Sequence, residues 1–378
     1  MKKVLIRIGF TALSVFAMAF SSFAEEAKPA ALNADEIKKA LGMSIYLQGG
    51  YTYNFRNPDS GENRLRVFDH EANSLNLDLA QVVFAKDAPM NGVGFKLKLS
   101  AGETAKWIHS RGLGINDGDD PSKSDAFDLT EAYIDYLAPV GKGLKLRFGK
   151  YVTYFGAEVI EAKDNPNYSR SLLFNYAIPF THTGLMAGYS FTDQLSANLH
   201  VVNGWDNTSD NNKGKSVGLS VGYAPMEQLS MYFNTMYGPE QLDNSSNNRF
   251  LFDWVATIKP MKNLSVILNA DYAKEDMGPD VDDAKWHGFA AIAKYDFSDR
   301  YSLAVRGEYF KDSDGARTGI KQSVKEITIT PEIRLANGII IRPEYRHDLS
   351  DKESFDSRHD LTNRKSQDTI ALAVMYSW

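Results

Sequence analysis

The chain has 378 residues, with 42 Lys and Arg against 48 Asp and Glu, a formal charge of −6 and no cysteine. This acidic balance leaves no basic stripe to neutralise phosphates, which excludes a nucleic-acid binder, and the missing thiols exclude disulfides and thiolate metal sites. Beyond the first two dozen residues no run of eighteen apolar residues occurs, so no membrane helix is expected.

The start of the chain reads as a targeting segment. Lys2, Lys3 and Arg7 form a positive region, the apolar stretch Ile8 to Phe20 is too short to span a bilayer, and Ser22-Phe23-Ala24 offers a small-x-small cleavage site. Residues 1–24 are therefore expected to be a signal peptide and 25–42 a short periplasmic segment. Removing the three basic residues leaves 39 (42 less 3) against 48 acids, a charge of about −9. Within 31–42 the pattern predicts a short helix, with Asn33 as N-cap and Glu36 as its capping-box partner.

From Met43 the chain repeats one unit, eight to twelve residues of apolar/polar alternation and then a turn. Ile45, Leu47, Gly49, Tyr51, Tyr53 and Phe55 share one face while Ser44, Gln48, Thr52 and Asn54 share the other. A period of two puts successive side chains on opposite faces of a strand. About sixteen such strands are expected, near 43–55, 73–86, 93–102, 127–138, 144–153, 182–191, 195–204, 215–224, 229–238, 249–259, 264–273, 286–297, 301–311, 324–335, 339–348 and 367–378.

Their connections alternate in length. Short ones carry turn residues, such as Ala88-Pro89-Met90-Asn91-Gly92 and Ala336-Asn337-Gly338, whereas 103–125, 154–181, 274–285 and 349–365 are long. Consecutive hairpins whose two ends differ in this way predict an all-β fold: a transmembrane antiparallel up-and-down barrel over 43–378, with short periplasmic turns and long extracellular loops. A soluble β-sandwich also alternates but explains the loop rhythm and the leader less well together. Tyr53, Phe55, Tyr237, Tyr272 and Tyr345 fall near long loops, and Tyr136, Tyr189, Phe191, Tyr295 and Phe297 near short turns, as two headgroup-level belts require. The final strand ends at Trp378, an aromatic terminus like the signal read by barrel-assembly machinery, although Phe is usual there.

Sixteen strands ~4.8 Å apart and tilted ~40° give a backbone diameter of roughly 31 Å, wider than inward side chains can fill. The expected function is passive diffusion of small hydrophilic solutes and ions across the outer membrane of a Gram-negative-type cell. The inward charges Lys96, Lys98, Lys145, Arg147, Arg306, Glu308, Arg342, Glu344 and Arg346 are candidate pore-lining residues, beside Glu131, Asp135, Glu332 and Arg334. Cross-strand pairing explains each of them equally well, and both signs occur, so the pattern assigns no ion preference.

Loop 154–181 is the longest connection and carries Leu172, Leu173, Phe174, Tyr176 and Ile178, which need cover. It is expected to fold into the barrel and narrow the pore, with Glu158, Glu161, Asp164 and Arg170 facing basic wall residues such as Lys145 and Arg147. A loop packed on the outer rim is the alternative.

The segments Phe148-Gly149-Lys150, Gly156-Ala157-Glu158, Asn167-Tyr168-Ser169-Arg170-Ser171 and Pro179-Phe180-Thr181-His182-Thr183-Gly184 resemble the OmpL-like, porin-2 family of β-barrel porins. The resemblance extends over most of the chain after the leader, although only residues near 144–190 are distinctive. It implies an outer-membrane pore of broad or unknown substrate range and supplies no binding residues.

No cofactor, metal site or catalytic residue is expected. The acidic runs at 116–120 and 275–283 lack EF-hand spacing, the seven histidines are scattered, and no GxSxG or HExxH occurs. The competing readings are a non-conducting or adhesin-like barrel and a barrel hydrolase. Expected partners are the bilayer, lipopolysaccharide, the assembly machinery and the diffusing solutes. A homotrimer is a candidate assembly by analogy with sixteen-strand porins.

Overall fold

The computed structural model describes residues 38–39, 41–113 and 126–378, and the period-two segments among them are strands. In chain order these are β1 (Met43–Asn54), β2 (Leu75–Lys86), β3 (Gly92–Ala101), β4 (Phe127–Ala138), β5 (Leu144–Val152), β6 (Thr181–Ser190), β7 (Leu195–Val202) and β8 (Ser216–Met226). They continue as β9 (Leu229–Pro239), β10 (Asn248–Met261), β11 (Leu264–Glu275), β12 (Ala284–Asp296), β13 (Tyr301–Asp312), β14 (Gln322–Arg334) and β15 (Ile339–Ser350). Two short strands, β16 (Phe355–Ser357) and β17 (Asp360–Arg364), precede β18 (Ser366–Ser377). Strands β1 to β15 and β18 follow one another around a closed antiparallel barrel, which β18 completes by pairing with β1 from Tyr46↔Ser377 to Asn54↔Thr369. The sixteen expected strands are thus present at their expected places, and only the hairpin β16–β17 was not foreseen.

Closure follows from the bilayer as solvent. In hydrocarbon each backbone N–H and C=O must find a partner within the protein, and a closed ring leaves no strand edge. One local gap is confined: the ladder between β14 and β15 runs through Ile329↔Tyr345 and resumes at Ile333↔Ile341, with Pro331 and Pro343 between. Proline has no N–H to donate, so placing both across from each other limits the lesion to one site.

The alternation decides which face meets which solvent. On β18, Ile370, Leu372 and Val374 are 46–48% exposed, whereas Thr369, Ala371, Ala373 and Met375 are at most 5% exposed. Around the ring Leu77, Phe95, Ile134, Phe148, Leu185, Leu219 and Ile327 point outward and exposed, while Asp253, Arg306, Thr328 and Thr330 are buried inside. A water-soluble sheet would do the reverse. Moving each large apolar side chain from water to hydrocarbon stabilises the barrel by roughly 1.5–3 kcal/mol, so this outer face requires lipid. Outward aromatic pairs mark both rims: Tyr53–Phe55 at the long-loop end, and Tyr189–Phe191 and Tyr295–Phe297 at the short-turn end.

The inner face is less hollow than strand counting implies. Segments 55–74 and 153–180 turn into the lumen, the second reaching from the long-loop end down to Tyr46, Lys98 and Arg342. There Phe68, Phe155, Leu172, Leu173, Phe174 and Ile178 pack with the inward wall residues Leu79, Val202, Trp286 and Phe310 in one apolar cluster. Segment 153–180 has no regular ladder, only a single turn at Ala162–Asp164 and a wide turn at Leu173–Ala177. Segment 102–126 begins with a one-turn helix, α1 (Glu103–Trp107). Lys38, Lys39 and Leu41 belong to a unit separate from the barrel unit Gly42–Trp378; they are helical, while Asn33 and Glu36, the leader and the acidic run 116–120 lie outside the described residues.

Candidate functional site

Segment 153–180 has few backbone partners of its own, and inside a barrel its N–H and C=O groups cannot all reach bulk water, so side chains of the wall must satisfy them. Arginines serve the carbonyls. Arg306 on β13 donates through Nη1 to Ser169 O (2.7 Å) and to Glu158 Oε1 (2.9 Å), while its Nε meets Glu326 Oε1 at 2.7 Å. Arg342 on β15 donates through Nη1 to Ala162 O (2.6 Å) and Asn167 O (3.1 Å), and Arg346 donates to Arg170 O at 2.6 Å.

Carboxylates serve the amides. Glu344 accepts from the backbone N–H of Tyr168 (2.7 Å) and Ser169 (3.0 Å), and Glu308 from Leu172 (2.5 Å) and Leu173 (3.2 Å). Further ties are Asn167 Nδ2 to Thr330 (2.7 Å) and Ala157 N–H to Asn269 Oδ1 (3.2 Å). The hydroxyl of Tyr168 donates to Asp78 at 2.8 Å across β1, where a Cβ on Gly50 would stand 2.3 Å from that oxygen. Glycine at 50 is thus the seat of the tyrosine.

Within the segment, Arg170 donates to the carbonyls of Val159, Ile160 and Tyr168 and lies 4.7 Å over the Phe68 ring. Phe68 in turn contacts Phe174 and Phe180, each at 5.5 Å. Segment 55–74 is locked to the wall by Arg66, which binds Asp69 and, at 2.5 Å, Asp348. Burial alone would raise the Glu161 carboxyl, but the Lys98 ammonium 2.7 Å away holds it below its ordinary value. A cavity of about 470 Å³ remains between residues 158–164 and the β1–β3 wall, lined by Gln81, Lys96, Lys98, Lys163, Phe174 and Trp378 among others.

A barrel with an inward third long loop and an apolar outer belt is the architecture of a porin. A family model described as "Putative beta-barrel porin-2, OmpL-like" matches residues 40–378. The chain belongs to this family. A search of curated protein sequences found no match. Among solved structures, the anion-selective porin from Comamonas acidovorans is similar at a TM-score of 0.59 and 11% identity, covering 89% of this chain and 98% of that one. OprB of Pseudomonas putida is similar at 0.55 and 14%, covering 94% and 100%. OmpT of Vibrio cholerae in its trimer form is similar at 0.57 and 13%, covering 89% and 98%. At such identities these likenesses speak for the fold alone.

The porin-2 barrel sorts the expected site residues into two sets. Glu158, Glu161, Arg170, Lys98, Arg306, Glu308, Arg342, Glu344 and Arg346 converge where segment 153–180 meets the wall, and each is buried. Lys96, Lys145 and Arg147 stay nearer water at the short-turn end, where Lys145 and Arg147 pair with Asp135 and Arg147 lies 3.6 Å over the Tyr133 ring.

Glu158 and Glu161 meet the basic wall residues Arg306 and Lys98, so only the choice of Lys145 and Arg147 as their partners is corrected. The two residues sit near the start of β5, at the short-turn rim, whereas the segment leaves β5 at its far end and folds against β13 and β15 instead. Asp164 is corrected as well: it pairs with the adjacent Lys163 at 2.7 Å and is 54% exposed at the cavity. Sequence reasoning missed Arg66, Asp348, Glu326 and Asp78. For Asp348, Glu326 and Asp78 the only signal was their inward register, and Arg66 had none, since segment 55–74 reads as an ordinary polar loop.

Proposed function

We propose that this porin-2 barrel is a passive diffusion pore of the outer membrane, through which small hydrophilic solutes and ions pass, and that segment 154–181 narrows it. The observation that carries this reading is the inverted surface, with aliphatic side chains exposed outside and charged, hydrogen-bonding groups enclosed within. The contacts of Arg306, Arg342, Glu308 and Glu344 support a fixed constriction, because they hold the segment at many points. The cavity beside Lys96 and Lys163 is the proposed route past the segment. No group of the lumen is assigned a catalytic role. A homotrimer is the proposed assembly, as in the trimer form of the Vibrio cholerae protein.

The test is single-channel conductance in planar bilayers for the native protein and for a variant lacking 158–170. Discrete steps that grow in the variant agree with the proposal, and steps of unchanged size refute the constriction. A non-conducting barrel is the second reading, favoured by the apolar cluster that packs inside the lumen. Folded native protein that inserts without any current, while the deletion variant conducts, would select it.

A further inference from the structure

At the short-turn end of the lumen the cations outnumber the acids that balance them, and they stand in front of them. Asp135 on β4 is shared by Arg147 (2.8 Å) and Lys145 (3.2 Å) of β5. Glu131 on the same strand is shared by Lys96 (2.7 Å) and Lys98 (2.9 Å) of β3. Across the lumen Glu332 on β14 takes three partners, Arg342 (2.5 Å), Arg334 (2.7 Å) and Lys294 (3.1 Å). Three carboxylates thus serve seven cations. Among the described residues two other acids reach this set, Glu161 at Lys98 and Asp296 at 3.3 Å from Arg334, and two positive charges are still in excess.

Exposure strengthens the imbalance. The side chains of Glu131 and Glu332 are 2% exposed and that of Asp135 is 9%, whereas Lys145 is 44%, Arg334 35%, Lys96 27% and Lys294 19% exposed. The short carboxylates lie against the wall, and the longer basic side chains reach past them into the water. An ion in the lumen therefore meets ammonium and guanidinium groups first, well within a Debye length of ~8–10 Å. Among the described residues the exposed acids that oppose them are Asp296, at 40%, and Asp164, at 54%, each beside a cation. On the segment that borders the cavity, Lys163 and Asp164 pair at 2.7 Å and add no net charge.

We propose that the lumen selects small anions and that Lys145, Lys294 and Arg334 set this preference. The inference rests on the diffusion-pore reading and adds the sign of the solute. These side chains can be changed without stranding a buried acid, because Arg147 still serves Asp135 and Arg342 still serves Glu332, while Asp296, which loses Arg334, is 40% exposed to water.

The test is the reversal potential of the full-length protein in planar bilayers across a tenfold KCl gradient. The native protein is compared with the triple variant Lys145→Gln, Lys294→Gln, Arg334→Gln and with a charge-preserving variant Lys145→Arg, Lys294→Arg. Chloride passes more readily than potassium in the native protein, and the ratio falls by roughly two-fold or more in the triple variant but not in the charge-preserving one. A native channel that prefers potassium or shows no preference overturns the inference, as does an unchanged ratio in a triple variant that still conducts. If the triple variant does not fold, the sign of the native reversal potential alone decides. Folded native protein that carries no current overturns the pore reading itself, a distinct failure.

Discussion

Replacing Arg306 by Met should release segment 153–180 while leaving the barrel intact. Arg306 is fully buried and ties five groups together: Glu158, Ser169 through its carbonyl and its hydroxyl, Glu326 and Thr328. Methionine fills much of the space of the arginine stem but supplies no donor, so Glu158 loses its cation and the Ser169 carbonyl its partner. Breaking a buried pair by removing one member costs about 3–5 kcal/mol, because a charge is left without compensation. At ~1.4 kcal/mol per factor of ten, the docked-to-undocked ratio falls by about two to nearly four powers of ten. The remaining anchors at Arg342, Glu344 and Glu308 keep the segment from leaving altogether, and the strand ladder is untouched. The expected phenotype is a protein that still resists heat as a folded barrel but shows larger, noisier current steps and faster proteolytic cleavage between 158 and 173. Arg306→Lys should fall between the two, since it restores the charge without the fork that reaches Ser169 and Glu326 together. Native step size, native noise and native cleavage rate in the methionine variant would refute the assignment of Arg306 as an anchor.

Gly50→Leu should mimic part of that effect from the opposite wall. A side chain there meets the Tyr168 hydroxyl and breaks its bond to Asp78, so the variant is expected to raise conductance, whereas Gly307→Leu, whose Cβ would meet only the Glu326 carbonyl at 3.9 Å, serves as the control for a leucine on the barrel wall. Burial pushes the Glu240 carboxyl up to about 7, beside the Trp205 N–H (2.7 Å) and Ser216 hydroxyl (2.6 Å) that it accepts from. A carboxyl whose folded value is raised contributes stability that is complete below its ordinary value near 4.5 and lost as pH climbs through about 7. Hydrogen exchange of the Trp205 amide, corrected for intrinsic rate, should therefore speed up between pH 5 and 8 in the native protein and stay level in Glu240→Gln. Glu161 works in the other direction: Lys98 holds it low, so its contribution is present above 4.5 and fades as pH falls, and Glu161→Gln should lower the acid sensitivity of cleavage in 158–170.

How much was legible in the sequence depended on the range of the physics. Alternation on β1 and β18 was legible because lipid and lumen impose opposite demands on neighbouring residues, and each strand records them locally. The need of Leu172, Leu173 and Phe174 for cover was legible for the same reason. Their cover was not, because the contacts that supply it join distant parts of the chain, Glu158 with Arg306 or Ala162 with Arg342, and no local pattern encodes such pairs. Lys145 and Arg147 drew attention as inward charges of the strand that leads into the segment, yet strand rise carries them to the opposite rim. Segment 55–74 went unread since Arg66 and Asp69 look like solvated loop charges until Asp348 is brought beside them. The sign of the lumen was hidden too: composition counts charges, whereas the field that an ion meets depends on which of them reach the water.

The central claim is that one face of each strand touches lipid and the other touches water, and adjacent positions on β5 test it most directly. Because the chain has no cysteine, Lys145→Cys and Leu146→Cys each introduce a unique thiol. A membrane-impermeant, charged thiol reagent should step the current of the cysteine-145 channel and leave the cysteine-146 channel unchanged. A probe on the thiol at 146, in turn, should be quenched by brominated lipid. Equal labelling of both thiols from water, or quenching at 145, would contradict the account.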